Sequence, residues 1–412
     1  MKIYHLTHKL DLGGTAGSLQ LFATEQLKLG HEVVVVSNEG GEREESLLKK
    51  LAVVRTSSIA GGPPKADVVH LHSLGGRDEM YTELLRSWKE QGARIIQTNI
   101  FGGYDKDLHQ LADSILFVSK ALYLKFMLQH PELKLSKIYG YLYNPVDVST
   151  LRSTPLSTAE REAKRAKLSV SSEQLLCGRV GRPDLGKWDH TIEDVVTILA
   201  KKNLPICMAV MSAPKSVERR ISKSKYAKNW RFLRPTSSTT ELSHFYQLLD
   251  VNLHGSSIGE TFGCSIAEGM CLGLPSVVRS THFTINQLYL DNAQIELVED
   301  GVTGFTRTTA IGLADAVTKL FDANLRKSMG ESARSKADLF SADMLTQHLV
   351  ETYYTPAEGI GSNKQSDAFA KWEKAYKDSL EKAIIDVKSQ LLLNLQRYKN
   401  TFRRHLDLNN EK

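Results

Sequence analysis

A chain of 412 residues, 41% hydrophobic and 24% charged, is too long for one ordinary core and has the composition of a globular protein of two domains. No apolar run reaches bilayer-spanning length, the start lacks a secretory leader pattern, and Cys177, Cys207, Cys264 and Cys271 keep no metal-binding spacing, which points to reduced, packed thiols in a cytoplasmic protein. The net charge of +6 suits an anionic small ligand or a membrane surface and gives no case for nucleic acid.

Residues 3–7 read as a first strand. Gly13-Gly14 follows, then a helical pattern through Leu19, Phe22, Leu27 and Leu29 that Gly30 closes, and His31-Glu32 leads into the apolar run 33–36. Strand, glycine turn, helix and all-apolar strand make a βαβ unit of a parallel sheet. Such a turn presents backbone N–H groups at the carboxyl edge of the sheet, although a glycine pair also serves any turn that needs positive φ. Further strands are expected over 67–71, 94–98, 115–118 and 138–143, with helices between them, as over 81–91. Of the two histidines in the first of these strands, His70 reads as packed, and His72, nearer the strand's end, as a candidate for the ligand side. Asp105-Lys106-Asp107 has the look of a metal motif but reads as the dipole-matched first turn of a helix running to Ala112. Asn144-Pro145-Val146-Asp147 punctuates the chain at a domain boundary, and a helix is expected over 158–167.

The second half opens with a strand at 175–177 that runs into Gly178-Arg179-Val180-Gly181-Arg182-Pro183-Asp184-Leu185-Gly186-Lys187-Trp188. An arginine and a lysine five apart on a glycine-rich loop can converge on one diphosphate, the guanidinium as a fork and the ammonium as a mobile point charge. Arg182 and Lys187 keep that spacing; Arg179 also follows a glycine and competes with Arg182, and two surface cations near a turn are the plain alternative. Strands are expected at 204–211, 230–235 and 250–253, and a helix at 242–249. Next comes Gly259-Glu260-Thr261-Phe262-Gly263-Cys264-Ser265-Ile266-Ala267-Glu268, with carboxylates eight positions apart and a helix opening near Gly263. The unpaired N–H groups of a helix start are a natural seat for phosphate. Glu260, on the loop, can accept from sugar hydroxyls, and Glu268, on the helix, from a ribose; two unrelated solvated glutamates are the alternative. Thr281-His282-Phe283-Thr284 suits either a cleft or a surface.

Four motifs occur in order over roughly the first 355 residues: Gly13-Gly14 to Gly30-His31-Glu32-Val33, Asn144-Pro145-Val146-Asp147, Gly181-Arg182 with Lys187, and Glu260 with Glu268 and the ending Gly273-Leu274-Pro275. Together they resemble the retaining GT-B glycosyltransferases of the family-four, or glycosyl transferases group 1, type. The resemblance implies an α/β fold of two doubly wound, Rossmann-like domains facing a cleft. The N-terminal domain, 1–147, takes the acceptor side; 148–340 holds the donor; 341–356 is a helix crossing back. It implies transfer of a sugar, with retention, from a nucleotide-diphosphate sugar to a hydroxyl of a glycan, lipid-linked or small-molecule acceptor. The catalytic set would be Arg182, Lys187 and Glu260; the donor would be bound by Gly14, Asn99, Phe262, Gly263, Cys264 and Glu268. No metal and no cofactor beyond the donor are expected, and UDP- and GDP-sugars are not distinguished, because Ser212-Ala213-Pro214 replaces the usual glycines near the base. Asn99 stands where many relatives carry a histidine, and an amide cannot carry a proton as imidazole can. A nucleotide-sugar epimerase or glycan phosphorylase of the same fold, and a catalytically silent nucleotide-sugar-binding protein, are the alternatives.

After a linker at 356–362, Phe369, Trp372, Tyr376, Leu380, Ile384, Val387, Leu391, Leu395, Tyr398 and Phe402 recur at steps of three and four, which predicts one long helix over 364–405. Eleven Lys/Arg against seven Asp/Glu over 364–412 give it four of the six net positive charges. Its apolar stripe must be covered: by the N-terminal domain, by a second copy in an antiparallel helix pair, or by an anionic membrane, the last disfavoured by acids on its polar side.

Overall fold

The computed structural model describes residues 1–73, 79–130, 133, 138–280 and 291–355. Among them, β1 (Lys2–Lys9), β2 (Glu32–Glu39), β3 (Ala52–Arg55), β4 (Val68–Ser73), β5 (Arg94–Asn99), β6 (Ser114–Phe117) and β7 (Ile138–Tyr141) form one sheet in the order β3-β2-β1-β4-β5-β6-β7. A second sheet contains β8 (Leu175–Val180), β9 (Ile206–Met211), β10 (Trp230–Leu233), β11 (Val251–His254), β12 (Ser276–Arg279) and β13 (Gly304–Arg307), in the order β10-β9-β8-β11-β12-β13. The pairings are parallel, Ile3 standing between Val33 and Val68 in the first sheet and Cys177 between Met208 and Val251 in the second. Strand order reverses between β1 and β4 and again between β8 and β11, and ligands of open parallel sheets bind beyond the carboxyl ends of the strands at such points. β3 is absent from the sequence reading: it is a four-residue edge strand with no buried residue, so it carries no period to read. The segment Thr281-His282-Phe283-Thr284 and the helix expected over 364–405 lie outside the described residues. No described helix is long and apolar enough to cross a membrane.

Local chemistry places the helix starts. Asp105 accepts from the N–H groups of Asp107 and Leu108, so that acidic stretch is a helix cap. Ser157 and Glu160 form a reciprocal capping box at the head of Thr158–Lys167. Both sheets belong to one unit, Met1–Ser280 with Asp291–Pro356. One apolar cluster contains Phe117, Val118 and Leu122 of the first half with Phe262, Ile266 and Met270 of the second. Beside it, the Glu296 carboxylate accepts from the N–H groups of Lys120 and Ala121 at 3.1 Å each, capping helix Lys120–Gln129, and from the Tyr143 hydroxyl at 2.6 Å. Helix Ala342–Leu349 and the turn Val350–Tyr354 return to the first sheet, where Leu345, Leu349, Tyr353 and Tyr354 pack with Ile3, Val68, Ile96 and Leu116.

Helix Cys264–Cys271, which carries Glu268, is seated by close backbone packing against helix Ala323–Ala337. A Cβ at Gly330 would lie 2.2 Å from the Gly273 carbonyl oxygen. Backbone cannot yield there as a flexible side chain can, so Gly330→Ala is expected to cost about 1–3 kcal/mol through forced displacement of the two elements. Urea unfolding measures this; an unchanged midpoint would show that the helices separate freely.

Candidate active site

The loops after β8 and β11 meet at the carboxyl edge of the second sheet. From the first, Lys187 Nζ approaches Glu260 Oε2 at 2.9 Å and the Gly259 carbonyl at 3.1 Å. From the second, Glu260 Oε1 lies 3.1 Å from His254 Nε2, at the very end of β11. The Lys187 and Glu260 side chains are 16% and 14% exposed, which shields the pair from bulk water while leaving it reachable. Ser257 donates from its hydroxyl to the Gly186 carbonyl and ties the loops again. Burial opposes ionisation of Glu260, but the His254 hydrogen bond and the Lys187 ammonium outweigh it and hold the carboxyl down at about 2. Burial also lowers the His254 pKa, so a neutral ring donates from Nε2 and leaves Nδ1 buried without a partner.

Helix Cys264–Cys271 begins four residues after Glu260. Gly263, its N-cap, has φ 106° and ψ 57°, a left-handed conformation that favours glycine. The Phe262 ring is 1% exposed and packs against Tyr143 and Phe340, so it anchors the loop in the core and only its backbone faces the helix start. The helix starts of the two halves meet: a Cβ at Gly14, which opens helix Gly14–Lys28, would touch Cys264 Sγ at 3.4 Å, and Asn144 Nδ2 lies 3.7 Å from the same sulfur. One turn on, half-buried Glu268 accepts from the Tyr246 hydroxyl at 2.9 Å. Burial raises its carboxyl to about 7, with the Tyr246 hydrogen bond and the Arg43 charge offsetting part of the effect. Arg43 comes from the first half; its Nη1 donates to Gln20 at 3.1 Å, its guanidinium lies against Gly17, and its buried Nε has no partner.

Other sequence candidates stand apart. Arg182 is 60% exposed, its Nε 3.4 Å from Asp184 Oδ2 on the same loop. Arg179, its competitor, is 1% exposed inside β8. Asn99 is 2% exposed and serves its own loop, donating to the Gly103 carbonyl at 2.7 Å and accepting from the Gly102 N–H at 2.9 Å. His72 is not on the ligand side. It is 2% exposed, stacked on His70 and hydrogen-bonded to His5, because residues two apart on a strand share a face and both lie in the core. Ring nitrogens of these three histidines come within 4.8 Å of one another, but stacked rings do not aim two lone pairs at one ion. A cavity of about 360 Å³ lined by Arg161, Asp250, Pro275 and Lys327 opens where β11 and β12 begin, at the opposite end from Lys187 and Glu260. Sequence reasoning missed Arg43, Tyr246 and His254. His254 had a signal: it is the last residue of an apolar strand, six positions before the loop glutamate.

Residues 160–336 match the family model described as Glycosyl transferases group 1. Among curated proteins none matches in sequence. Among solved structures, the chain is similar to Anabaena HepE in complex with UDP and glucose, at 17% identity and TM-score 0.71, covering 86% of this chain and all of that one. It is also similar to a glycosyltransferase from Rickettsia africae, at 17% identity and TM-score 0.68, covering 85% and 97% of the two chains. WaaG, a glycosyltransferase involved in lipopolysaccharide biosynthesis, aligns at 16% identity and TM-score 0.61 over 87% of this chain and all of that one. With its paired parallel sheets and a glycosyl transferases group 1 domain over residues 160–336, the chain is a glycosyltransferase of the GT-B fold.

Proposed function

We propose that this enzyme transfers a sugar from a nucleotide-diphosphate donor to an acceptor hydroxyl with retention of configuration, and that protein cations take up the leaving charge. The observation that carries this reading is the Lys187–Glu260 pair at the carboxyl edge of the second sheet. As the bond between the anomeric carbon and the outer phosphate oxygen breaks, negative charge builds on that phosphate. Lys187 exchanges Glu260 for the phosphate, and Glu260, still held by His254, is freed to accept a hydrogen bond from a sugar hydroxyl. The acceptor oxygen bonds to the anomeric carbon on the face the phosphate leaves, and its proton passes to the departing phosphate oxygen. Glu268 receives the ribose, the N–H groups around Gly14 and Gly263-Cys264 face the diphosphate, and Arg182 leaves Asp184 to close on it.

HepE was crystallised with UDP-glucose, which makes that donor the first to try. A thermal-shift panel of UDP-, GDP- and other activated sugars tests the reading, since a ligand that binds only the folded state raises its melting point. A chain that none of them stabilises overturns it. The position of Asn99 favours one second reading, a catalytically silent binder; hydrolysis of a labelled donor without acceptor argues against it, and product analysis separates an epimerase or a phosphorylase. Arg182→Ala is expected to lose well over tenfold in turnover, about 3 kcal/mol at most for a donor aimed at developing charge. Near-normal initial rates would remove Arg182 from the mechanism.

A further inference from the structure

A guanidinium inside an apolar strand is costly to bury unless its donors are matched. Arg179, the fifth residue of β8, is 1% exposed, and its Nη1 has no acceptor. Its other contacts show what fixes it. Nη2 donates to the Lys187 carbonyl at 2.9 Å. Nε donates to the Gly255 carbonyl at 3.2 Å, the first residue of the loop that ends in Glu260. The Trp188 ring takes the cation at 5.2 Å. Gly181 leaves room for it: a Cβ there would lie 2.7 Å from Nη1 and 3.0 Å from Cζ. One fork therefore spans both loops that meet in the Lys187–Glu260 pair, while touching neither charged end.

We propose that Arg179 is a positioning residue, holding the Lys187 backbone and the Gly255 loop in register so that the ammonium sits where a departing phosphate can draw it from Glu260. The inference rests on the donor reading above. It is tested with Arg179→Met, which keeps length without fork or charge, Arg179→Lys, which keeps charge without fork, and Gly181→Ala, which pushes on an intact arginine. Rates of nucleotide release are measured with UDP-glucose or, if it is not hydrolysed, the panel donor that is. Arg179→Met is expected to lower kcat about tenfold or more while the donor KM moves less, because Lys187 matters most as charge develops. Gly181→Ala should follow it, Arg179→Lys should recover only part, and Arg179→Met added to Lys187→Ala should cause almost no further loss. A purely structural arginine would instead lower the melting temperature, leave kcat per folded molecule unchanged and add fully to Lys187→Ala; any of these kinetic results overturns the proposal. If Arg179→Met does not fold, Gly181→Ala with and without Lys187→Ala decides. If no panel donor is turned over, the donor reading fails and this inference with it; if Lys187→Ala keeps its turnover, the lysine is only a structural partner and this inference falls while the donor reading stands. If Lys187→Ala is slow and Arg179→Met is near wild type, only Arg179 is removed.

Discussion

Replacing Lys187 with alanine is expected to lower turnover about a hundredfold or more, the usual loss when one preorganised group aimed at developing charge is removed. The ligand-free geometry gives the reason. The ammonium is already desolvated and paired with Glu260 at 2.9 Å, so meeting the phosphate needs a short side-chain swing and no assembly. Glu260 tolerates the loss, because His254 still donates to its other oxygen. The defect should therefore fall on kcat more than on donor KM, since the phosphate becomes most negative only as the glycosidic bond breaks. Lys187→Arg should recover part of the rate: it restores charge, but as a planar fork where a compact point charge sat. Glu260→Gln keeps the size of the partner and removes its charge. If Lys187 served only to steady Glu260, Lys187→Ala and Glu260→Gln would be equally slow. Initial rates at saturating donor decide, and a Lys187→Ala value within about threefold of wild type would leave the lysine a structural partner.

The fold was legible because parallel strands buried on both faces are written as continuous apolar runs, as over Val33 to Val36, and because glycines mark the turns between them. Lys187 and Glu260 were legible singly but not as a pair, being 73 positions apart with no local pattern joining them. Arg179 and Arg182 looked interchangeable beside their glycines. What separates them is position along the chain: Arg179 stands within β8, whose first five residues are all buried, whereas Arg182 lies past the strand's end. The Glu296 cap on helix Lys120–Gln129 was beyond reach, since nothing near Glu296 distinguishes it from a solvated acid. The same holds for Arg43, whose neighbours Gly17 and Gln20 come from another element. Polar groups that function through distant partners leave no period in the chain; apolar groups do.

Acidification below about pH 6.5 is expected to loosen the return of Tyr354 to the first sheet, through buried histidines whose protonation the fold opposes. With neutral rings, one directed chain of hydrogen bonds satisfies every contact. His72 Nε2 donates to His5 Nδ1 at 3.0 Å, His5 Nε2 to Gln26 Oε1 at 2.7 Å, and Gln26 Nε2 to the Tyr354 hydroxyl at 3.3 Å. That hydroxyl donates to His70 Nδ1 at 2.6 Å, and His70 Nε2 to the Thr98 hydroxyl at 2.7 Å. A proton on His5 would set two N–H groups against each other. Burial lowers His5 to about 4, and burial with the neighbouring rings puts His70 and His72 well below their ordinary value. Between those values and about 6.5 the unfolded chain binds protons that the folded one does not, so stability is complete above about pH 6.5 and falls as pH drops, by about 1.4 kcal/mol per pH unit for each ring. Glu268 works in the opposite sense: its raised carboxyl, at about 7, gives the folded state the extra proton down to the ordinary carboxylate range. The wild-type slope is a sum of such terms, and a difference between variants isolates one. His72→Gln keeps an N–H donor for His5 and cannot titrate. It should unfold at lower urea than wild type at pH 8, and the gap should close by about 2 kcal/mol on going to pH 5. Parallel stability curves for the two proteins would mean that His72 charges freely inside the fold, and that the chain of hydrogen bonds does not run as drawn.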